Sequence, residues 1–89
     1  MRDRGIFVQV MMRTIQVRPS RNPRWQKMRG WEVFEAPGVC PVYCDANARE
    51  SALSYARQRA GYGRAEIQVL DEAWNVAETI SNEDARPLV

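Results

Sequence analysis

The sequence predicts an α+β domain with the element order β-β-β-α-β-β, in which one helix packs on a mostly antiparallel sheet. Two observations predict this fold. Short runs rich in β-branched and aromatic residues alternate with turn residues, and one segment carries alanines at helical spacing. A chain of 89 residues fits one domain. We expect residues 1–10 to be an optional extension, residues 11–80 the domain, and residues 81–89 an acidic tail.

The first three predicted strands occupy the N-terminal half. The first runs over residues 6–17, and a change in its apolar parity near residues 11–13 indicates a bulge. A loop over residues 18–30 follows. Strands over residues 31–36 and 40–44 then form a hairpin around Pro37-Gly38, because proline presets φ and glycine accepts the positive φ of a type II turn.

The predicted helix covers residues 48–60. Asn47 and Glu50 have the spacing of a capping box, and Gly61 and Gly63 end the helix. Its narrow apolar stripe consists of Ala52, Leu53, Ala56 and Ala60, with Tyr55 beside it. Strands over residues 65–70 and 74–80 complete the sheet.

The residue inventory argues against catalysis. Histidine, the commonest general base and zinc ligand, is absent. Cys40 and Cys44 are too far apart along an extended strand for a disulfide. They are either a redox or metal pair or two small apolar residues facing the helix. We therefore expect no enzyme, no cofactor and no metal.

The carboxylates give no catalytic pattern either. Glu32 and Glu35 fall on opposite faces of a strand. Glu78 shares parity with Ile80, so it is either an exposed edge charge or a buried functional acid. No apolar run is long enough to span a membrane, and we expect a cytoplasmic protein.

Charge is unevenly distributed although the net charge is only +2. Between Arg4 and Trp31 there are seven basic residues and no acid, whereas residues 65–89 hold six acids and one base. Guanidinium groups neutralise phosphates, and an indole stacks on bases. The candidate binding residues of the loop are Arg18, Arg21, Arg24, Trp25, Lys27 and Arg29. Three interpretations of these residues are open. The loop contacts nucleic acid, it contacts an acidic protein surface, or its arginines are solvated and pair with the acidic C-terminal half.

A sheet covered by one helix leaves its second face open. Parity places Phe34 and Tyr43 on that open face, opposite Trp31, Val33 and Val42. A second copy of the chain or a protein partner would bury these aromatic side chains.

Three motifs resemble a family of small uncharacterised bacterial domains. They are Gly30-Trp31-Glu32-Val33, the helical Ala52-x-x-x-Ala56-Arg57, and Ala65-Glu66-Ile67-Gln68-Val69-Leu70-Asp71; the chain departs at Glu72, where that family has glycine. The resemblance implies the fold over residues 30–80 and no function. In size, element order and alanine-rich helix the chain also resembles small phage anti-CRISPR proteins, which inhibit a nuclease complex by occupying its surface.

The sequence therefore predicts a small non-enzymatic interaction protein, bacterial or phage encoded. It would bind, and inhibit or regulate, a larger protein or protein–nucleic-acid complex. The alternative is a domain that binds nucleic acid directly through the arginine-rich loop.

Overall fold

The computed structural model describes residues 13–61 and 65–81 of the chain. It confirms the predicted α+β class and the predicted order of the main elements, and adds one short helix inside the predicted loop. The elements are β1 (Arg13–Pro19), α1 (Pro23–Gln26), β2 (Trp31–Phe34), β3 (Val42–Tyr43), α2 (Ala48–Gly61), β4 (Ala65–Leu70) and β5 (Val76–Ile80). The expected extension, the bulge near residues 11–13, Gly63, Arg64 and nearly all of the acidic tail lie outside the described residues.

The five strands form one mixed sheet in the order β3-β2-β1-β4-β5. Three of the four pairings are antiparallel, and β1 pairs with β4 in parallel. The parallel pairing arises because α2 carries the chain across one face of the sheet before β4 begins, which a short hairpin turn cannot do. β1 is consequently the central strand of the sheet.

The core lies between α2 and one face of the sheet, called here the helix face. Every fourth residue of α2 from Ala48 to Ala60 is a buried alanine, so the helix backbone approaches the sheet closely. The facing strand residues are Ile15, Val17, Val33, Ala65, Ile67, Val69 and Ile80, all buried. Tyr55 flanks the alanine stripe as the sequence predicts, whereas Leu53, predicted to lie within the stripe, is half-buried beside it.

The start of α2 differs from the prediction. The predicted capping box between Asn47 and Glu50 is not formed among the described residues. Instead, the Asp45 carboxylate accepts from the backbone N–H of Asn47, the residue before α2, at 2.8 Å and from the Ser51 hydroxyl at 3.2 Å. No helix in the described part of the chain is long and apolar enough to cross a membrane.

The β2–β3 hairpin has the predicted turn but a different register. Gly38 has φ 85°, and the Val39 N–H donates to the Ala36 carbonyl at 2.8 Å, as a type II turn requires. The turn pairs Ala36 with Val39, and continuing that register would place Val33 opposite Val42; instead Glu32 lies opposite Val42. This slip of one residue moves the side chains of β3 to the other face of the sheet.

Candidate binding surface

The loop between β1 and β2 is a closed, hydrogen-bonded structure, named here the 20–30 loop after its bounding residues. At its neck the Ser20 N–H donates to the Gly30 carbonyl at 2.9 Å, directly beyond the last β1–β2 pair, Pro19 and Trp31. Ser20 is 2% exposed. The loop thus continues the sheet ladder by one bond before the chain diverges.

Inside the loop, α1 forms because Asn22 caps it and Pro23 takes its first position. The Asn22 side chain accepts from the Arg24 N–H at 3.0 Å, and its carbonyl accepts from the N–H groups of Trp25 and Gln26. After one turn, the Trp25 carbonyl accepts from the N–H of Met28 and of Gly30. The arginine-rich segment is therefore ordered, with its backbone largely paired internally.

Gly30 lies in close contact with its neighbours where the loop returns to the sheet. A Cβ at this position would lie 3.1 Å from the Cys44 sulfur, 3.1 Å from the Trp25 Cβ and 3.1 Å from the Trp25 carbonyl oxygen. Such contacts are tighter than ordinary van der Waals separation, so a larger residue would require these neighbours to shift by a few tenths of an ångström.

Four cations of the 20–30 loop are exposed: Arg21, Arg24, Lys27 and Arg29. None of them forms an ion pair with an acid among the described residues. The predicted pairing of the loop with the acidic C-terminal half is thus not formed within residues 13–61 and 65–81. The Arg24 guanidinium lies over the half-buried Trp25 ring, 4.7 Å from its centroid.

Arg18 is not a loop residue, contrary to the prediction. It belongs to β1 and points away from α2, on the side of the sheet called here the polar face. Its Nε donates to Glu32 on β2 at 2.6 Å, and its Nη1 donates to Gln16 at 2.8 Å. Only 15% of its side chain is exposed, so Arg18 stabilises the domain and is not free to bind a partner.

Aromatic rings enclose the Arg18 guanidinium on the polar face. It lies 4.6 Å from the centroid of Phe34 and 4.3 Å from that of Trp74. Phe34 is on this face, as predicted, but it is covered by the protein's own arginine. The Gln16 amide donates onward to Gln68 on β4 at 3.1 Å, so polar contacts span β2, β1 and β4.

Tyr43 does not lie on the open face; that prediction is wrong. It pairs with Trp31 across β2–β3 and packs against Tyr55 of α2, with ring centroids 6.2 Å apart. The one-residue register slip of the hairpin is the cause. The expected pair of uncovered aromatic residues, Phe34 and Tyr43, is therefore divided between the two faces.

A cleft of about 300 Å³ lies between the 20–30 loop and the β4–β5 turn. The loop contributes two arginines, Arg21 and Arg29, and the turn contributes Glu72 and Trp74. Trp31 also lines the base of the cleft, although its ring packs on the helix side, where the Arg49 guanidinium lies 5.7 Å from the ring centroid. The Arg21 guanidinium lies 4.5 Å from the centroid of the Trp74 ring. The cleft therefore combines aromatic surface, positive charge and one carboxylate.

Trp74 lies in the β4–β5 turn, so β5 begins two residues later than predicted. The Asp71 carboxylate accepts from the N–H of Ala73 and of Asn75, and Trp74 takes φ 65°. A hairpin loop of this kind ordinarily has glycine at its left-handed position. The Trp74 indole N–H donates to the Pro19 carbonyl at 2.8 Å, which fixes the ring over the end of β1.

Backbone strain coincides with the cleft. Arg29 (φ 55°) and Trp74 (φ 65°) are the non-glycine residues with positive φ in the described part of the chain, and both line the cleft. Each such conformation costs about 1–3 kcal/mol, and residues of this kind concentrate at functional sites. Sequence reasoning missed both conformations, and Trp74 was interpreted as a strand residue.

The remaining candidate carboxylates are structural or solvent-exposed. Glu35 lies on the helix side, opposite in direction to Glu32 as predicted, and binds two arginines. Arg59 of α2 donates to it at 2.9 Å and 3.0 Å, and Arg13 also forms an ion pair with it. The hydrogen bond from Arg59 chiefly holds the pKa of Glu35 below its ordinary value. Glu78 is an exposed edge charge, the first of its two interpretations.

The cysteines are unpaired, as the spacing predicts. Cys40 does not face the helix, since it contacts Glu32 and Arg18 on the polar face. Burial, followed by the charge of Glu32, raises the pKa of the Cys40 thiol, which opposes thiolate chemistry. Among the described residues, no group of three histidine, cysteine or acidic side chains is close enough together to hold a metal ion.

Comparison of the chain with protein-family models, with curated proteins and with solved structures found no match. Both family resemblances therefore stay predictions. The fold and surface define an α+β domain with one main helix, which presents an ordered cationic loop beside a cleft lined by Trp74.

Proposed function

We propose that this chain is a small non-enzymatic binding protein that docks through the 20–30 loop on an anionic surface. The partner is a larger protein or a protein–nucleic-acid complex, which the chain inhibits or regulates by occupying that surface. A cytoplasmic location is part of the same proposal.

One observation carries the proposal: the loop is ordered and cationic, and its exposed cations form no ion pair with any described residue. Its exposed cations have no acidic partner among residues 13–61 and 65–81, and the backbone that bears them is hydrogen-bonded internally. A fixed cluster of like charges is unfavourable for the isolated domain, and an anionic partner relieves that repulsion. Because the loop is already ordered, docking loses little conformational entropy.

Apolar surface next to these charges supports docking on a macromolecule. Met28 is 50% exposed at the tip of the same loop, between Lys27 and Arg29. Interfaces commonly combine arginine and methionine in this way, with the apolar group at the centre and charges at the rim. The loop therefore offers positive charge that attracts an anionic partner, and a small apolar contact that loses water when the partner binds.

The test compares capture of partners from a lysate by three immobilised proteins. In the first variant, Arg24→Gln and Lys27→Gln neutralise two exposed loop cations. The matched control, Glu66→Gln with Glu78→Gln, neutralises two carboxylates on β4 and β5, outside the loop, and raises the net charge. We expect the loop variant to lose the bound partner and the control to keep it.

Two results would contradict the proposal. Equal capture by the wild type and the loop variant would show that the loop is not the docking surface. Stronger capture by the control would show non-specific attraction to a positive protein. Light scattering at several concentrations tests the separate prediction of a homodimer, for which a monomer mass throughout would be the negative result.

A further inference from the structure

We infer that the cleft between the 20–30 loop and the β4–β5 turn binds one unpaired nucleotide of a single-stranded nucleic acid. The base stacks in the cleft, and the flanking phosphates lie along the loop cations. This inference rests on the proposed function, since it specifies the anionic group that the loop recognises.

The size of the cleft selects an unpaired nucleotide. Its volume of about 300 Å³ is at the lower end of ligand sites and admits one base with its sugar, but no duplex or helix. The Trp74 side chain lines this small space, and its ring is stacked with Arg21. The N–H of Trp74 is already donated to Pro19, so this ring offers a ligand its aromatic surface and no hydrogen bond.

Trp74 and two arginines already form a stack of flat side chains beside the cleft. Arg18 and Arg21 both lie over the Trp74 ring, at 4.3 Å and 4.5 Å from its centroid. Bases stack on indoles and also on the planes of arginine guanidinium groups. A base can therefore extend the stack on Arg21 or replace this exposed side chain on the ring.

The charge pattern of the cleft favours a base over an acidic peptide. Glu72 lines the cleft together with Arg21 and Arg29, and a carboxylate here would repel the carboxylates of such a peptide. The same group accepts a hydrogen bond from an amino or imino group on the edge of a base. Arg29 is then positioned for the adjacent phosphate, and Arg24 and Lys27 continue the positive surface along the loop.

The two strained residues give independent support. Arg29 and Trp74 come from different loops, yet both adopt positive φ and both line the cleft. Glycine would fit either position without strain, so the cationic and aromatic side chains are present at a cost to the fold.

The experiment measures fluorescence anisotropy of three labelled probes with the full chain at low salt. The probes are a mixed-sequence single strand of about twelve nucleotides, the matching duplex, and a poly-glutamate peptide of equal charge. We expect the single strand to bind about tenfold more tightly than either of the others. Quenching of tryptophan emission should accompany binding of the single strand.

Arg29→Gly is the decisive variant, because it removes the cation and relieves the strain together. We expect about tenfold weaker binding of the single strand with an unchanged or higher melting temperature. Lys27→Ala is the matched control, since it removes one cation from the same loop without altering the cleft. It should weaken binding only about twofold to threefold and lower the slope of log K against log salt by about 0.7.

Equal affinity for all three probes, or equal weakening by Arg29→Gly and Lys27→Ala, would overturn the inference, because it would show that only net charge matters. Tighter binding of the peptide would overturn it in favour of an acidic protein ligand. Absence of single-strand binding while the neutralised loop still abolishes partner capture would remove the inference and leave the proposed function standing.

Discussion

The two faces of the sheet are stabilised by different physics. The helix face is apolar at its centre, with buried Ile15, Val17 and Ile67 packed under the alanines of α2. The polar face places an arginine, Arg18, among two aromatic rings and a carboxylate. The comparison shows that a thin domain can cover its second face with its own charged and aromatic side chains, without a second helix.

The largest expected effect comes from the helix face. Replacing the fully buried Ile67 by alanine should lower the free energy of unfolding by about 2–5 kcal/mol, because transfer free energy is lost and a cavity remains under α2. Urea unfolding followed by circular dichroism measures the change. Val76→Ala, at a half-exposed position on β5, is the control and should cost well under about 1 kcal/mol. Similar losses for both variants would mean that the helix face is not the main core.

A smaller effect is expected on the polar face. Arg18→Met leaves the Glu32 carboxylate, 11% exposed, without its partner and should cost about 2 kcal/mol. Adding Glu32→Gln to Arg18→Met should recover part of that loss, since the unpaired charge is removed. Lys27→Met, on the exposed loop, serves as the control and should change stability by less than about 0.5 kcal/mol. A loss no larger than that of Lys27→Met would show that the Arg18–Glu32 pair does not stabilise the polar face.

The smallest effect concerns the edge of the helix face, where Glu35 binds Arg59 and Arg13. Because the pKa of Glu35 is lowered in the folded protein, its contribution is present above the ordinary value of 4.5 and is lost as pH falls through the folded pKa. The melting temperature of the wild type should exceed that of Glu35→Gln near neutral pH. The difference should shrink below about pH 4.5. A difference that is independent of pH would mean that the ion pairs contribute nothing.

The sequence was sufficient for the helix face. Residues Ile67 and Val69 of β4 alternate with polar neighbours, and the alanines of α2 recur every four residues, so periodicity alone identified them. Periodicity could not identify the contacts of Arg18, because these depend on the register between β1 and β2 and on a turn distant in sequence. Composition around Arg18 is typical of a loop, although the residue pairs with Glu32 inside the sheet.

The face of Tyr43 was predicted wrongly and the cleft was not predicted, because both depend on local backbone geometry that residue patterns do not reveal. A single slipped residue in the hairpin reversed the face of Tyr43, and alternation within a strand interrupted by Pro41 gives no sign of it. The cleft requires Trp74 in a left-handed conformation that its residue type disfavours. The one local sign of a turn was Asp71, three residues before Trp74, because aspartate side chains favour turns.

The parallel pairing of β1 with β4 has a consequence for the order in which this chain folds. Gln16 and Gln68, which meet across that pairing, are separated by 52 residues in sequence. During synthesis β1, β2, β3 and α2 leave the ribosome before β4 does. Until β4 is available, the edge of β1 that faces β4 has no hydrogen-bonding partner. Closing so long a segment slows folding compared with forming the local hairpins. We therefore expect the pairing of β4 with β1 to form later in folding than the local hairpins.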